Sequence, residues 1–174
     1  MRRKRQESKQ EYRAGGPTRY KMHEKLVSIG DDFYIEDQDG RKAFYVDGKA
    51  LRVRDTLIIK DMQRNVQCKI QERKLRVKDT MNIEGPGGET LATIKKALIS
   101  PVRDRWSVKI GDGPDMEVKG NIVDHEYKIE EGRTRIAEVS RKWFRIRDTY
   151  GVKVAPGQND VVILAITVGI DMMR

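Results

Sequence analysis

Leu51-Arg52-Val53-Arg54-Asp55-Thr56, Leu75-Arg76-Val77-Lys78-Asp79-Thr80 and Phe144-Arg145-Ile146-Arg147-Asp148-Thr149 are three copies of one phrase. Each follows an apolar anchor at a fixed distance: Val46, Ile70 and Val139 lie five residues before the Leu or Phe and nine before the Asp. A fourth copy starts at Ile94 and reaches Ile99 at the same step. It then absorbs one residue at Ser100-Pro101 before Val102-Arg103-Asp104. Chance does not keep a spacing through three copies, so one supersecondary element is used about four times.

Within each copy, apolar and basic residues alternate. On an extended chain successive side chains point to opposite faces. That puts Leu51 with Val53, Leu75 with Val77 and Phe144 with Ile146 on an inward face, because burying each such side chain contributes about 1.5–3 kcal/mol. Arg52, Arg54, Arg76, Lys78, Arg145 and Arg147 then face outward. The Asp-Thr that closes each copy reads as a structural pair, with a short side chain that hydrogen-bonds nearby backbone as the strand turns.

The same alternation runs from about residue 26 to 155. It is broken at Asp39-Gly40, Asp47-Gly48, Arg64-Asn65, Gly87-Gly88, Gly111-Asp112-Gly113 and Glu131-Gly132. Consecutive antiparallel strands are predicted, in one soluble domain of residues 19–174. Residues 1–18 read as a solvated basic tail: Arg2, Arg3, Lys4, Arg5, Lys9 and Arg13 stand against Glu7 and Glu11, and Gly15-Gly16-Pro17 breaks the chain. No apolar stretch follows the N-terminal basic run, so it is not a signal peptide.

Val161-Val162-Ile163-Leu164-Ala165-Ile166-Thr167-Val168-Gly169-Ile170 is the one long apolar run. Pro156 to Asp160 supply a break and a helix N-cap ahead of it, while its β-branched residues lean toward a strand. Composition leaves helix and strand both open. Ten apolar residues closed by Asp171 fall short of the roughly 20 needed to cross a bilayer. The segment is therefore expected inside the protein, not in a membrane.

Several motifs agree in order with the repeats: Ile35-Glu36-Asp37-Gln38-Asp39-Gly40, Asp47-Gly48-Lys49-Ala50-Leu51, Gly120-Asn121-Ile122-Val123-Asp124-His125-Glu126-Tyr127 and Val139-Ser140-Arg141-Lys142-Trp143-Phe144. Together with the apolar tail after Pro156-Gly157, this sequence resembles the LURP-one-related family, over about residues 20–173. The resemblance implies a Tubby C-terminal-like fold shared with phospholipid scramblases. That fold is mainly β, a closed antiparallel barrel of about twelve strands around a central hydrophobic C-terminal helix, here about residues 158–172. Tubby domains bind phosphoinositides and scramblases act at membranes; for prokaryotic members of the family no biochemical role is settled. Lipid binding is therefore an analogy from the fold.

Candidate chemistry is sparse. Asp124-His125-Glu126 would place the two carboxylates on the strand face opposite the imidazole, so the three do not converge. Asp37-Gln38-Asp39-Gly40 opens like a calcium loop but lacks the closing carboxylate, and is read as a plain turn. Cys68 is the single cysteine, which excludes a disulfide framework or thiol metal cluster and suits a reducing cytoplasm. No nucleophile elbow, phosphate-binding glycine loop or zincin motif is present. The expectation is a non-enzymatic protein with no cofactor and no metal site.

Charge is the remaining lead. Charged residues make up 36% of the chain and the net charge is +9, which favours polyanionic partners. If the outward pairs Arg52, Arg54, Arg76, Lys78, Arg145 and Arg147 neighbour one another, they form a surface for anionic phospholipid or phosphoinositide headgroups and a peripheral place at a membrane. The bland alternative is a solvated face that blunts strand-edge aggregation. A scaffold for protein partners, working through loops such as 111–115 and 84–88, is the second reading. Nucleic acid is the weakest, because aromatic residues are only 6% of the chain and no reading motif is present.

Overall fold

A computed structural model describes residues 16–23, 32–48, 56–72, 80–96 and 104–173. Twelve strands form one closed antiparallel barrel: β1 (Thr18–His23), β2 (Phe33–Asp37), β3 (Lys42–Asp47), β4 (Thr56–Lys60), β5 (Val66–Glu72), β6 (Thr80–Glu84), β7 (Thr90–Lys96), β8 (Asp104–Ile110), β9 (Met116–Asn121), β10 (Glu126–Glu131), β11 (Thr134–Ser140) and β12 (Thr149–Val154). Each strand pairs with its neighbours in sequence, and β1 closes the ring on β12, from Thr18 opposite Val154 to His23 opposite Thr149. Closure leaves no free edge in the wall.

The repeat anchors occupy one position of the pleat. Val46, Ile70, Ile94 and Val139 are all buried and inward, opposite Ile59, Ile83, Val108 and Val152 of the following strand. Asp148-Thr149 does not end a strand. Thr56, Thr80 and Thr149 instead open β4, β6 and β12.

The apolar run is helix α1 (Asp160–Met173), lying inside the barrel. Asn159 caps it, with Oδ1 accepting from Val162 N at 3.2 Å and its carbonyl accepting from Ile163 N at 3.1 Å. Every residue from Ile163 to Ile170 is buried. The wall explains why β-branched composition does not prevail. A segment enclosed by twelve mutually paired strands has no edge to pair with, whereas a helix satisfies its backbone internally. Thr167, buried within it, donates from Oγ1 to Ile163 O at 3.0 Å. Gly169 lets the helix approach the wall: a Cβ there would lie 2.7 Å from Ile94 Cδ1.

Antiparallel succession sends the connections alternately to two ends. Tight turns at 38–41, 61–65, 85–89, 111–115 and 132–133 share one end, where α1 enters. The other end, where α1 finishes, holds the connections 122–125 and 141–148 and the strand ends at His23, Asp47, Glu72 and Lys96. The turn at 37–41 is an Asx turn, with Asp37 Oδ1 accepting from Asp39 N and Arg41 N, both at 2.9 Å. Asp61 repeats the arrangement with Gln63 N and Asn65 N. The Asn65 side chain, followed by these backbone bonds, holds the Asp61 carboxyl below its usual range.

Cys68 points inward from β5 and is fully buried. Desolvation pushes its thiol up to about 12. An unfolded thiol ionises near 8.5, so this group's contribution to stability is complete below that pH and falls as pH rises toward 12. At pH 8 the native thiol is expected to resist Ellman's reagent and to react once denaturant opens the barrel. Rapid labelling of the native protein would show that the β4–β5–β6 wall opens on its own.

Candidate functional site

Charge is divided between the two ends. The tight turns carry Asp39, Asp61, Glu89, Asp112 and Asp115 against Arg41, Arg64 and Arg133. At the opposite end, among the described residues, connection 141–148 carries Arg141, Lys142, Arg145 and Arg147 against Asp148, with Asp32 and Asp124 in the other connections there. The third copy of the repeated basic phrase thus lies in a connection on this rim.

Of the basic residues singled out from the sequence, Arg52, Arg54, Arg76 and Lys78 lie outside the described residues. Arg145 and Arg147 are exposed on the connection 141–148. The expected strand through Phe144–Arg147 is not formed, and Ile146 does not point inward: it is 60% exposed. The cause is local. The wall ends where Ser140 pairs with Gly151, and Asp148, at φ 60°, takes the left-handed conformation that breaks an extended chain before β12 begins.

The connection is nevertheless well anchored at its start. Ser140 Oγ donates to the Glu126 carboxylate at 3.0 Å, Arg141 N donates to Glu126 Oε1 at 3.1 Å, and Lys142 N donates to Ser140 Oγ at 3.1 Å. A turn follows, with Phe144 N donating to Arg141 O at 3.2 Å. The chain then folds against the outer wall at Gly151, the outward position between inward Tyr150 and Val152. A Cβ at Gly151 would fall 2.5 Å from Trp143 Cε3 and 2.9 Å from Phe144 Cε2, so the missing side chain makes room for both rings. Trp143 remains 40% exposed, beside exposed Lys142 and Arg145.

The neighbouring turn, 122–125, leaves from the same row of paired residues, Asn121–Glu126–Ser140–Gly151. Val123 at its tip is 64% exposed. Asn121 and Asp124 brace the turn, with Asp124 N donating to Asn121 Oδ1 at 3.0 Å. His125, at φ 51°, turns its ring fully inward. It stacks on Tyr150 with centroids 4.1 Å apart, and its Nε2 lies 2.8 Å from Asp171 Oδ1. The Tyr150 hydroxyl donates to Asp171 Oδ2. Asp124 and Glu126 turn elsewhere, so the three neighbouring residues do not converge. The imidazole's carboxylate partner comes from α1, 46 residues away in sequence. This contact ties the last turn of the helix to the basic rim.

A groove of about 330 Å³ on the outer wall offers a competing location, lined in part by Arg105, Lys119, Lys128, Glu126, Glu130 and Glu138. Its charges are matched internally. Lys119 Nζ lies 2.9 Å from Glu117 and 3.2 Å from Glu130, hydrogen bonds that raise its pKa and lower that of Glu117. An incoming anion would displace a carboxylate already in place. Among the described residues, no carboxylate forms a salt bridge with Arg145 or Arg147.

A family profile described as LURP-one-related matches residues 18–171. The chain is 24% identical over 172 residues to the uncharacterized protein YxjI of Bacillus subtilis (strain 168), covering 87% of this chain and 91% of that one. It is also similar to the X-ray structure of a protein from Arabidopsis thaliana, with a TM-score of 0.68 and 20% identity over 92% of this chain and 93% of that one.

Proposed function

The chain belongs to the LURP-one-related family, and from that premise we propose that it is a non-enzymatic binding module whose basic rim docks on anionic phospholipid headgroups, phosphoinositides included. The observation that carries this reading is the connection 141–148, which exposes Lys142, Arg145 and Arg147 at one end of the barrel, whereas the tight turns of the other end hold five carboxylates against three arginines. Near an anionic bilayer each such residue contributes about 1 kcal/mol, and several on one rim act together. No helix among the described residues is long and apolar enough to cross a membrane, so the proposed association is peripheral.

Vesicle co-sedimentation tests the proposal. Binding is expected to vesicles containing phosphatidylserine or a phosphoinositide, not to neutral phosphatidylcholine, and to weaken as salt shortens the Debye length from about 10 Å at 0.1 M. No sedimentation with anionic vesicles, even at low salt, would overturn it. A scaffold for protein partners would then be the better account. A gel shift of DNA or RNA with a steep salt slope would instead favour nucleic acid.

A further inference from the structure

We infer that the rim enters the bilayer interface itself, inserting Trp143 and Ile146 with Val123 beside them, and so takes a membrane in preference to a soluble polyanion. This rests on the docking reading above and extends it from charge to depth. Trp143, Val123 and Ile146 are three of the four exposed large hydrophobic residues among the described ones, and all three belong to two adjacent connections on the basic end. The fourth, Met62, lies in a tight turn at the opposite end.

Their setting matches an interface. Phosphate recognition alone needs only the cations, and Ile146, exposed between Arg145 and Arg147, adds nothing to it. At a bilayer surface the same alternation places guanidinium groups among headgroups and the isoleucine among the upper acyl carbons. Tryptophan is the side chain most at home at that depth. Trp143 is held for the task, because its ring rests on the bare backbone of Gly151. The helix end contributes in kind: Met172 and Met173 are only partly buried where α1 reaches this rim.

Tryptophan emission reads insertion directly, because the second tryptophan, Trp106, points into the barrel at 3% exposure and serves as a silent internal reference. Vesicles of phosphatidylserine carrying brominated acyl chains are expected to quench part of the emission of the wild-type protein. Trp143→Phe is expected to lose the quenchable fraction, leaving only the unquenched emission of Trp106, and to sediment less fully with the same vesicles. Ile146→Ser should lower vesicle partition about tenfold, with little change in binding to soluble inorganic polyphosphate. Sedimentation with no quenching of Trp143, or an equal loss for vesicles and polyphosphate in Ile146→Ser, would overturn insertion and leave headgroup docking standing. Absence of sedimentation would remove both.

Discussion

Asp171→Ala is expected to lower stability by about 3–5 kcal/mol, because it removes a carboxylate that makes two buried hydrogen bonds worth about 1.5–3 kcal/mol each. The carboxylate is 1% exposed and His125 is fully buried, so water does not replace what is lost. The substitution removes the acceptor facing His125 Nε2 and one acceptor of the Tyr150 hydroxyl. It also unties the last turn of α1 from the 122–125 turn and from β12. A urea titration followed by far-ultraviolet circular dichroism measures the change as a shift in midpoint. Asp160, which accepts from the Tyr20 hydroxyl at the other end of α1, is the comparison. It is half-buried, so Asp160→Ala should cost roughly 1 kcal/mol, the loss of an ordinary hydrogen bond. Asp171→Asn, which keeps one acceptor oxygen, should fall between the two. A midpoint for Asp171→Ala equal to that of Asp160→Ala would mean that packing alone holds the helix end.

The repeat was the most legible feature of the fold, because an inward anchor must recur wherever a strand meets the core. Val46, Ile70, Ile94 and Val139 satisfy that demand in four strands. Alternation was less faithful. Phe144-Arg145-Ile146-Arg147 has the period of a half-buried strand yet forms a connection. Period alone registers neither where the ladder stops at Ser140 nor the left-handed Asp148 that redirects the chain. The tail shows the reverse. Its β-branched residues lean toward a strand by local preference, and only the closed wall around it explains the helix.

The rim was partly legible. Its basic residues were visible as a motif, but were expected along the wall, where they would form a stripe. The structure puts Arg145 and Arg147 of its third copy in a connection at one end instead, which changes its meaning from spacing to polarity. The exposed apolar residues were hidden by the same misreading, since Ile146 was expected inside. The His125–Asp171 contact had no local signal at all. Its partners meet only because α1 threads the barrel from the tight-turn end to the rim.

Reversing three charges on the rim should have the largest effect on function. Lys142→Glu, Arg145→Glu and Arg147→Glu together are expected to weaken binding to phosphatidylserine vesicles at least about a hundredfold, since removing three basic residues near an anionic surface costs about 3 kcal/mol before repulsion is counted. All three side chains are exposed, and surface substitutions of this kind usually change stability by less than about 0.5 kcal/mol, so the thermal midpoint should hold. The informative comparison is a reversal at the opposite end. Arg41→Glu with Arg133→Glu also lowers the net charge, but the proposed orientation keeps that end away from the bilayer, and binding should be nearly unchanged. Arg64 is left out of the control because its guanidinium packs 3.8 Å from the Tyr45 ring and its loss would disturb the wall. Comparable losses from the two ends would show that net charge, not this rim, governs association. No loss from the rim triple would show that the barrel meets its partner through some other surface.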